Sequence, residues 1–391
     1  DKKNTMRDLK YILSCSAKFH YFEIAKILYN KNKLKNIVLG YPWFKLKNSG
    51  IPKKFVSSKG LIRMLRHPII NSLKFKKIDD NLNMINSKII DNATCEQIDK
   101  NHDADVLLSF AGVGLKSGKK AIKNNKIYIC DTSSAHIIEQ NNLLADEYSD
   151  VIKKKFQINP KVIESKTEEY KSASIILVPS NFVKKSFEKY NFKNIKVLNL
   201  SSYIDNFYPQ KNIKRSDEFF DILFIGQLSL QKGLHYLIDA FKKFKHPKKR
   251  LHIVGHHSLD KEFFKKIIVH ENIIHYGHLK QVEINILANK CHVNVLPSIQ
   301  DGWGLVVSQS SASGCPNIVS DNVGASDFVK KYNTGFSVPI RDSKAILEKL
   351  ELLCDDKSLW TELSSNSIKH SAKSTWEDYT EKLDKIILEI I

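Results

Sequence analysis

The chain has 391 residues, of which 42% are hydrophobic and 10% aromatic, and this composition excludes an intrinsically disordered protein. The length is too great for one ordinary hydrophobic core and predicts two domains of about 200 residues each. No apolar run approaches the ~18 residues that a membrane span needs, and the first residues show no secretory signal. Six widely separated cysteines argue against a disulfide framework or a zinc site and predict reduced thiols in a cytoplasm.

The net charge of +20 is unevenly divided along the chain. Residues 1–200 hold 37 basic and 19 acidic side chains, whereas residues 201–391 hold 25 and 23. Residues 1–90 alone carry a net charge of +15. This asymmetry predicts that the first half meets an anionic partner, which could be a membrane surface, a lipid phosphate or nucleic acid. A genome that favours Lys and Asn would explain the total charge but not its uneven distribution.

Short apolar, β-branched runs alternate with amphipathic segments along the whole chain. In the first half the predicted strands are 9–15, 35–41, 104–110, 126–130, 173–179 and 195–200. In the second half they are 219–226, 249–255, 272–277, 292–297 and 316–320. Continuous apolar strands of this kind are typical of parallel sheets that helices cover on both faces. We therefore predict an α/β protein with two Rossmann-like, doubly wound domains that face a cleft.

The polar stretch 208–218 contains a proline and mixed charges, and we predict that it links the two domains. The expected boundaries are a first domain over 1–207, a second over 208–370, and a C-terminal helix over 371–391 that packs back on the first domain. Ligands of such sheets bind at the carboxyl ends of the strands. Polar residues that directly follow a predicted strand are therefore the candidates for a site.

A basic arm over residues 59–77 mixes cationic with apolar side chains. Its candidate contact residues are Arg63, Arg66, Lys74, Lys76 and Lys77. Cationic residues beside an apolar stripe are typical of a helix that lies in a membrane interface. The arm therefore predicts a surface for an anionic membrane or for an acceptor, while a solvated helix packed on its own domain is an equal alternative.

His136 lies at the end of a predicted strand, after Ser133 and Ser134. This is where a ligand-binding group of the first domain is expected. A packed core histidine is the alternative interpretation.

Lys232 follows the first strand of the second half, beyond Gly226, and Lys232-Gly233 opens a predicted helix. A lysine at the carboxyl edge of a parallel sheet, beside a helix N-terminus, is well placed to bind a phosphate. A solvated lysine at a helix start remains the other interpretation.

The stretch 301–316 reads DGWGLVVSQSSASGCP, and we expect a loop that turns into a helix near Leu305. Gly302 and Gly304 would let the backbone approach a ligand, and the helix start offers free N–H groups. Asp301 would accept hydrogen bonds from sugar hydroxyls. An ordinary strand-to-helix turn with a packed Trp303 is the alternative.

This stretch resembles the signature of retaining glycosyltransferases of the B-type fold, family 4, in which two acidic residues are separated by seven positions. Asp301 and Gln309 occupy those two positions. Five further segments resemble the family in the same order, namely 133–148, 173–187, 226–233, 275–298 and 321–339. The order and register of these segments make the resemblance specific.

The resemblance implies roles for the matching residues. Asp301 would meet the donor-sugar hydroxyls and Gln309 the ribose hydroxyls. Lys232 would bind the diphosphate and His136 would face the transferred sugar, so His136, Asp301 and Lys232 are the expected catalytic residues. The other donor-binding residues implied are Gly226, Gln227, Leu279, Ser298, Gly302, Trp303, Gly304, Leu305, Val306 and Gln309.

The chain departs from the family pattern at several positions. Asp301 is one methylene shorter than the family's glutamate, and Gln309 lacks its charge. Gln227 stands where many members have an arginine, which removes one cation from the phosphate site. Tyr203 replaces an expected glycine, and no glycine-rich loop follows the first strand. These changes leave the donor open and keep a non-catalytic relative in consideration.

The activity that the resemblance implies is transfer of a sugar from a UDP- or GDP-linked donor to a glycan or lipid-linked acceptor, with retention of configuration. Cell-surface polysaccharide or glycolipid synthesis would be its setting, in the cytoplasm or peripherally on the inner face of the membrane. The nucleotide sugar is a substrate, and neither a cofactor nor a metal ion is implied. A nucleic-acid glycosyltransferase and a non-catalytic sugar- or nucleotide-binding protein are the alternatives.

Overall fold

The structure is a computed structural model that describes residues 8–47, 50–60, 76–201, 206–257, 260–371 and 375–390, with the backbone alone described for 76–80. Within these ranges the chain forms two parallel β-sheets, each covered by helices. None of the described helices is both long and apolar enough to cross a membrane.

The first sheet has seven parallel strands. They are β1 (Tyr11–Cys15), β2 (Leu34–Leu39), β3 (Val56–Ser58), β4 (Val106–Phe110), β5 (Ile127–Asp131), β6 (Ile175–Val178) and β7 (Ile195–Val197). Their spatial order is β3-β2-β1-β4-β5-β6-β7. The helices of this half are α1 (Tyr21–Asn30), α2 (Lys76–Lys100), α3 (Leu115–Lys123), α4 (Ile137–Ile152), α5 (Pro160–Ser172) and α6 (Asn181–Glu188).

The second sheet has six parallel strands. They are β8 (Phe220–Ile225), β9 (Lys249–Val254), β10 (Ile273–Gly277), β11 (Val293–Leu296), β12 (Asn317–Ser320) and β13 (Gly335–Val338), in the order β10-β9-β8-β11-β12-β13. Its helices are α7 (Leu234–Lys243), α8 (Lys261–Ile267), α9 (Gln281–Lys290), α10 (Leu305–Ala312), α11 (Ser326–Tyr332), α12 (Ser343–Asp355) and α13 (Lys357–Ser371). In both sheets the chain returns to the middle and continues on the other side, which places a crevice at the carboxyl ends of the central strands.

Local sequence accounts for several helix starts. The Asn159 side chain accepts the Lys161 backbone N–H, and Pro160 fills the first position of α5, where no backbone donor is needed. Ser180 caps α6 in the same way, through the Val183 N–H. The central strands are fully buried, as continuous apolar runs in parallel sheets should be.

The last helix, α14 (Trp376–Leu388), crosses back to the first sheet. Its residues Trp376, Tyr379, Leu383 and Ile387 belong to the apolar core that contains β1 and α1. Polar contacts fix it further, because Asp384 accepts from the Tyr11 hydroxyl and from Lys33 Nζ, the latter at 2.7 Å.

A buried charge cluster also joins the two halves. Glu147 of α4 is fully buried and lies 2.8 Å from both His235 Nε2 and Arg341 Nε of the second half. Although burial alone would raise the pKa of this carboxyl, the hydrogen bonds from His235 and Arg341 hold it below its ordinary value. Removing one partner of such a cluster leaves an unpaired buried charge, which strongly destabilises the fold.

Candidate active site

A cavity of about 390 Å³ lies between the carboxyl ends of the two sheets. From the first half it is lined by Phe19, His20, Phe110, Ser133, Ser134 and Leu200. From the second half it is lined by Ile225, Gly226, Gln231, Lys232, Gln300, Asp301, Gly302, Trp303, Gly304, Leu305 and Val306. Its position and size suit a small-molecule site in an open α/β fold.

Lys232 reaches this cavity from the turn between β8 and α7. Gly233 follows at φ +67°, and a Cβ there would meet the Pro297 carbonyl oxygen at 1.9 Å, so only glycine fits. Lys232 Nζ lies 2.5 Å from Asp301 Oδ2, and both side chains are mostly buried. The structure thus brings together the two charged residues that we predicted for the second half.

The loop from β11 to α10 supplies most of the remaining lining. Gly304 has φ +85° and directly precedes α10, so the free N–H groups of that helix begin beside the cavity. Gly302 also contacts the first half. A Cβ on Gly302 would meet the Ser133 carbonyl oxygen at 1.8 Å, so only glycine lets the backbone of the other half approach this closely. Gly302 also lines the cavity, and its role in binding a donor stays a prediction.

Four predicted donor-binding residues do not line this cavity. Gln227 is exposed, while Leu279 is half-buried against the core of the second sheet. Ser298 is fully buried, and Gln309 is half-buried on α10. Their roles in binding a donor stay predictions.

The structure corrects the predicted site at His136. The ring is fully buried, and Nδ1 accepts the Ile138 backbone N–H at the start of α4. It stacks on Tyr190 at 4.3 Å between centroids and also contacts the rings of Tyr170 and Phe187. The packed-core interpretation therefore holds, and the expectation that His136 faces the transferred sugar is wrong.

His20 is the first-half histidine that does line the cavity, and sequence reasoning missed it. It follows β1, and its Nε2 lies 3.3 Å from Asp131 Oδ2 at the end of β5. The ring is parallel to Trp376 of α14, with 5.5 Å between centroids. A carboxylate on one side and a stacked indole on the other fix the orientation of this imidazole. Its position just after a predicted strand was the signal that could have revealed it.

Comparison with known proteins finds a family similarity in the second half. Residues 206–370 match the family model described as glycosyl transferases group 1. This part of the chain is therefore similar to the glycosyl transferases group 1 family. The matched range holds Lys232, Asp301 and the loop before α10, which is the second-half side of the cavity.

The chain is also similar to parts of curated proteins. The capsular polysaccharide biosynthesis glycosyltransferase CapM of Staphylococcus aureus is 29% identical over 203 residues, which are 49% of this chain and 50% of CapM. The chain thus spans half or less of the length of the first curated relatives that it matches.

Two solved structures share the fold over nearly the whole chain. HepE of Anabaena, in complex with UDP, has a TM-score of 0.69 at 13% identity and covers 97% of this chain and 100% of its own. WaaG, a glycosyltransferase involved in lipopolysaccharide biosynthesis, has a TM-score of 0.65 at 14% identity and covers 97% and 99%. The predicted fold of two Rossmann-like domains that face a cleft, the B-type fold of glycosyltransferases, is confirmed.

Among the residues that the structure describes, the Asp-x-Asp pattern and the other acidic side chains do not add a metal site to this cavity. The sequence contains one Asp-x-Asp, at Asp103 and Asp105. Asp105 precedes β4 and accepts the Lys10 backbone N–H, and Asp103 pairs with Lys35, so both lie at the amino ends of the strands. In the described parts of the chain, no group of three or more His, Cys, Asp or Glu side chains is arranged to hold a metal ion.

The predicted basic patch cannot be placed. Arg63, Arg66 and Lys74 lie outside the described residues, as do the side chains of Lys76 and Lys77. Tyr203 also lies outside them. Association with an anionic membrane therefore stays a prediction.

The burial of His136 makes a prediction about acid stability. Desolvation lowers the pKa of this imidazole from its ordinary 6.5 to about 4. Below pH 6.5 the unfolded chain takes up a proton that the folded chain takes up only near pH 4, so stability falls as the pH drops through this window. At pH 5 the loss from this residue is about 2 kcal/mol.

His136→Asn keeps a helix-capping acceptor but does not titrate. Urea unfolding at pH 7.5 and pH 5 should show a smaller drop for His136→Asn than for the wild type. Equal drops in the two proteins would mean that His136 is protonated to the same extent in the folded and unfolded chains.

Proposed function

We propose that the chain is a retaining, metal-independent glycosyltransferase that moves a sugar from a UDP- or GDP-linked donor to a glycan or lipid-linked acceptor. The observation that carries the proposal is the cavity between the two sheets, with Lys232 and Asp301 paired at its second-half side. HepE, which shares the fold, was solved with UDP and with UDP-glucose. CapM, by its name, acts in capsular polysaccharide biosynthesis, which supports a cell-surface glycan as the acceptor.

Lys232 and the start of α10 are the groups that would stabilise the leaving diphosphate. As the bond between the anomeric carbon and the phosphate oxygen breaks, negative charge grows on the diphosphate. A lysine ammonium and unpaired N–H groups at a helix N-terminus stabilise such charge, the more so in a partly buried cavity. In the proposed retaining reaction, the acceptor hydroxyl attacks on the face that the diphosphate leaves and passes its proton to that group.

The ion pair with Asp301 adds a condition to donor binding. Because Asp301 already neutralises Lys232, a diphosphate must compete with this carboxylate for the ammonium group. Release from Lys232 would leave Asp301 free to accept hydrogen bonds from the donor sugar. Asp301 and Lys232 would thus change partners together when the donor binds.

A panel of nucleotide sugars tests the proposal. A donor that binds the folded state raises the melting temperature, and mass spectrometry then shows whether sugar is transferred to an acceptor or to water. Stabilisation by UDP- or GDP-sugars together with sugar release is the expected result. Stabilisation without any release would favour the non-catalytic relative, and no stabilisation by any member would contradict the proposal.

We further propose that His20 occupies the place expected for His136, facing the transferred sugar from the first half. Its replacement by alanine should lower turnover by about 10- to 100-fold, which is the value of one hydrogen bond to a charged or polar substrate group. Affinity for free nucleoside diphosphate should remain, because that part of the donor binds the second half.

His136→Asn is the matched comparison for His20→Ala, measured at pH 7.5, where both proteins are expected to be folded. Turnover should fall in His20→Ala and stay near the wild-type value in His136→Asn. If turnover instead falls in His136→Asn and not in His20→Ala, His136 would be the histidine that faces the transferred sugar.

A further inference from the structure

Gln300 is a fully buried residue in the lining of the cavity, and its side chain has unused hydrogen-bonding groups. Neither its amide oxygen nor its amide nitrogen has a hydrogen-bond partner among the described residues. Its backbone carbonyl accepts from Gln231 Nε2 at 3.4 Å, but the side chain takes no part in this contact. Buried amides in folded proteins are almost always paired, since an unpaired one destabilises the fold. A partner from outside the chain would supply the missing hydrogen bonds.

A second unpaired donor lies on the same loop. Trp303 lines the same cavity, and its indole Nε1 is buried without a partner among the described residues. Asp301 lies between the two in sequence, and its carboxylate is engaged by Lys232. The loop therefore presents an amide, a carboxylate and an indole N–H within four consecutive positions.

The chemistry of these groups indicates which part of a donor they would bind. An amide offers two donors and one acceptor, and an indole offers one donor. Sugar hydroxyls both donate and accept, so they match such a neutral set. A diphosphate only accepts and is better served by Lys232 and the start of α10.

We propose that Gln300, together with the Trp303 indole N–H, binds hydroxyls of the transferred sugar and so determines which donor sugar is accepted. This inference rests on the proposed glycosyltransferase function. A site that is built to hydrogen-bond a particular hydroxyl discriminates strongly against sugars that lack it, because the buried groups are then left unpaired. Gln300 would therefore distinguish sugars on the same nucleotide, which Lys232 would not.

The test is Gln300→Leu, which keeps the approximate size of the side chain and removes its polar groups. Affinities are measured for UDP against UDP-glucose and for GDP against GDP-mannose. We expect the Kd of the nucleotide sugar that the wild type uses to rise about 10-fold, with the Kd of its nucleoside diphosphate nearly unchanged. The melting temperature of the free protein should rise by about 2–4 °C, because an unpaired buried amide is gone.

Thr334→Val is the matched control. Thr334 is buried in the second half, its hydroxyl has no partner among the described residues, and it does not line the cavity. The substitution should stabilise the free protein in the same way and leave both affinities unchanged.

Four results would overturn the inference. A lower melting temperature with unchanged affinities would show that bound water already pairs the Gln300 amide as part of the fold. Equal loss of both affinities would show a distorted site. If no nucleotide sugar stabilises the wild-type protein, the proposed function and this inference are overturned together. If the wild type turns over a donor and Gln300→Leu binds that donor with unchanged affinity, this inference alone is overturned.

Discussion

Replacing Lys232 with alanine is expected to weaken the binding of nucleoside diphosphate and of nucleotide sugar together, by about 10- to 100-fold. The loss corresponds to one charge-assisted hydrogen bond of about 1.5–3 kcal/mol. The effect is larger than for an isolated lysine because Asp301, 2.5 Å away in the free protein, would be left as an unpaired negative charge beside the diphosphate. Isothermal titration with UDP and GDP measures it directly.

Two further variants separate charge from packing. Lys232→Met keeps the aliphatic stem, which lies 3.8 Å from the position of a Cβ on Gly226, and should bind as weakly as Lys232→Ala. Asp301→Asn removes the competitor for the ammonium group, so its affinity for nucleoside diphosphate should hold or improve. Unchanged affinity of Lys232→Ala for nucleoside diphosphate would show that Lys232 does not bind the diphosphate.

The strands were readable from the sequence because parallel strands buried on both faces are continuous apolar runs. All eleven predicted strands appear, within a few residues of their expected bounds. The two that were missed, β3 (Val56–Ser58) and β13 (Gly335–Val338), are short and hold serine or glycine among few apolar residues. Both strands lie at the edges of sheets whose other strands are strongly apolar. Their own sequences therefore do not need a strong strand pattern.

The second-half side of the cavity was also predictable, since it is built from local strand-to-helix turns. Lys232 and Asp301 are 69 residues apart but follow β8 and β11, which are neighbours in the sheet. Because each residue lies in the turn that follows a strand, both were expected at the carboxyl edge of the sheet. The ion pair between them depends on side-chain reach and was not predictable.

The first-half residues that line the cavity were not predictable, because burial in the folded chain decides which of them reach it. His20 and His136 both follow strands of the same sheet, and nothing local separates them. The two histidines differ because three aromatic rings that are distant in sequence enclose His136, namely those of Tyr170, Phe187 and Tyr190. Gln300 was missed for a similar reason, because only the packed structure shows that its amide lacks a partner.

Gly302 is where the two halves touch across the cavity. The Ser180 hydroxyl donates to the Gly302 carbonyl at 2.9 Å, and Ser133 packs so closely that a Cβ on Gly302 would lie 1.8 Å from its carbonyl oxygen. Neither atom can move aside alone, since the Ser133 oxygen belongs to the backbone and a Cβ is bonded directly to the Gly302 backbone. A side chain at this position must therefore separate the two halves at the point where donor and acceptor groups meet.

Gly302→Ala is accordingly expected to lower turnover by about 100-fold, because a displacement of about 1 Å between reacting groups costs that much. Affinity for nucleoside diphosphate should change little, since Lys232 and the start of α10 lie within the second half. Gly277→Ala is the matched control: this glycine also lies in the second half and has a positive φ of +67°, but nothing lies within 4 Å of its added Cβ. It should lose some stability and keep its turnover. Full turnover in Gly302→Ala would show that the reaction does not require the halves to meet at Ser133, and a matching loss of nucleotide affinity would place the damage in the second half instead.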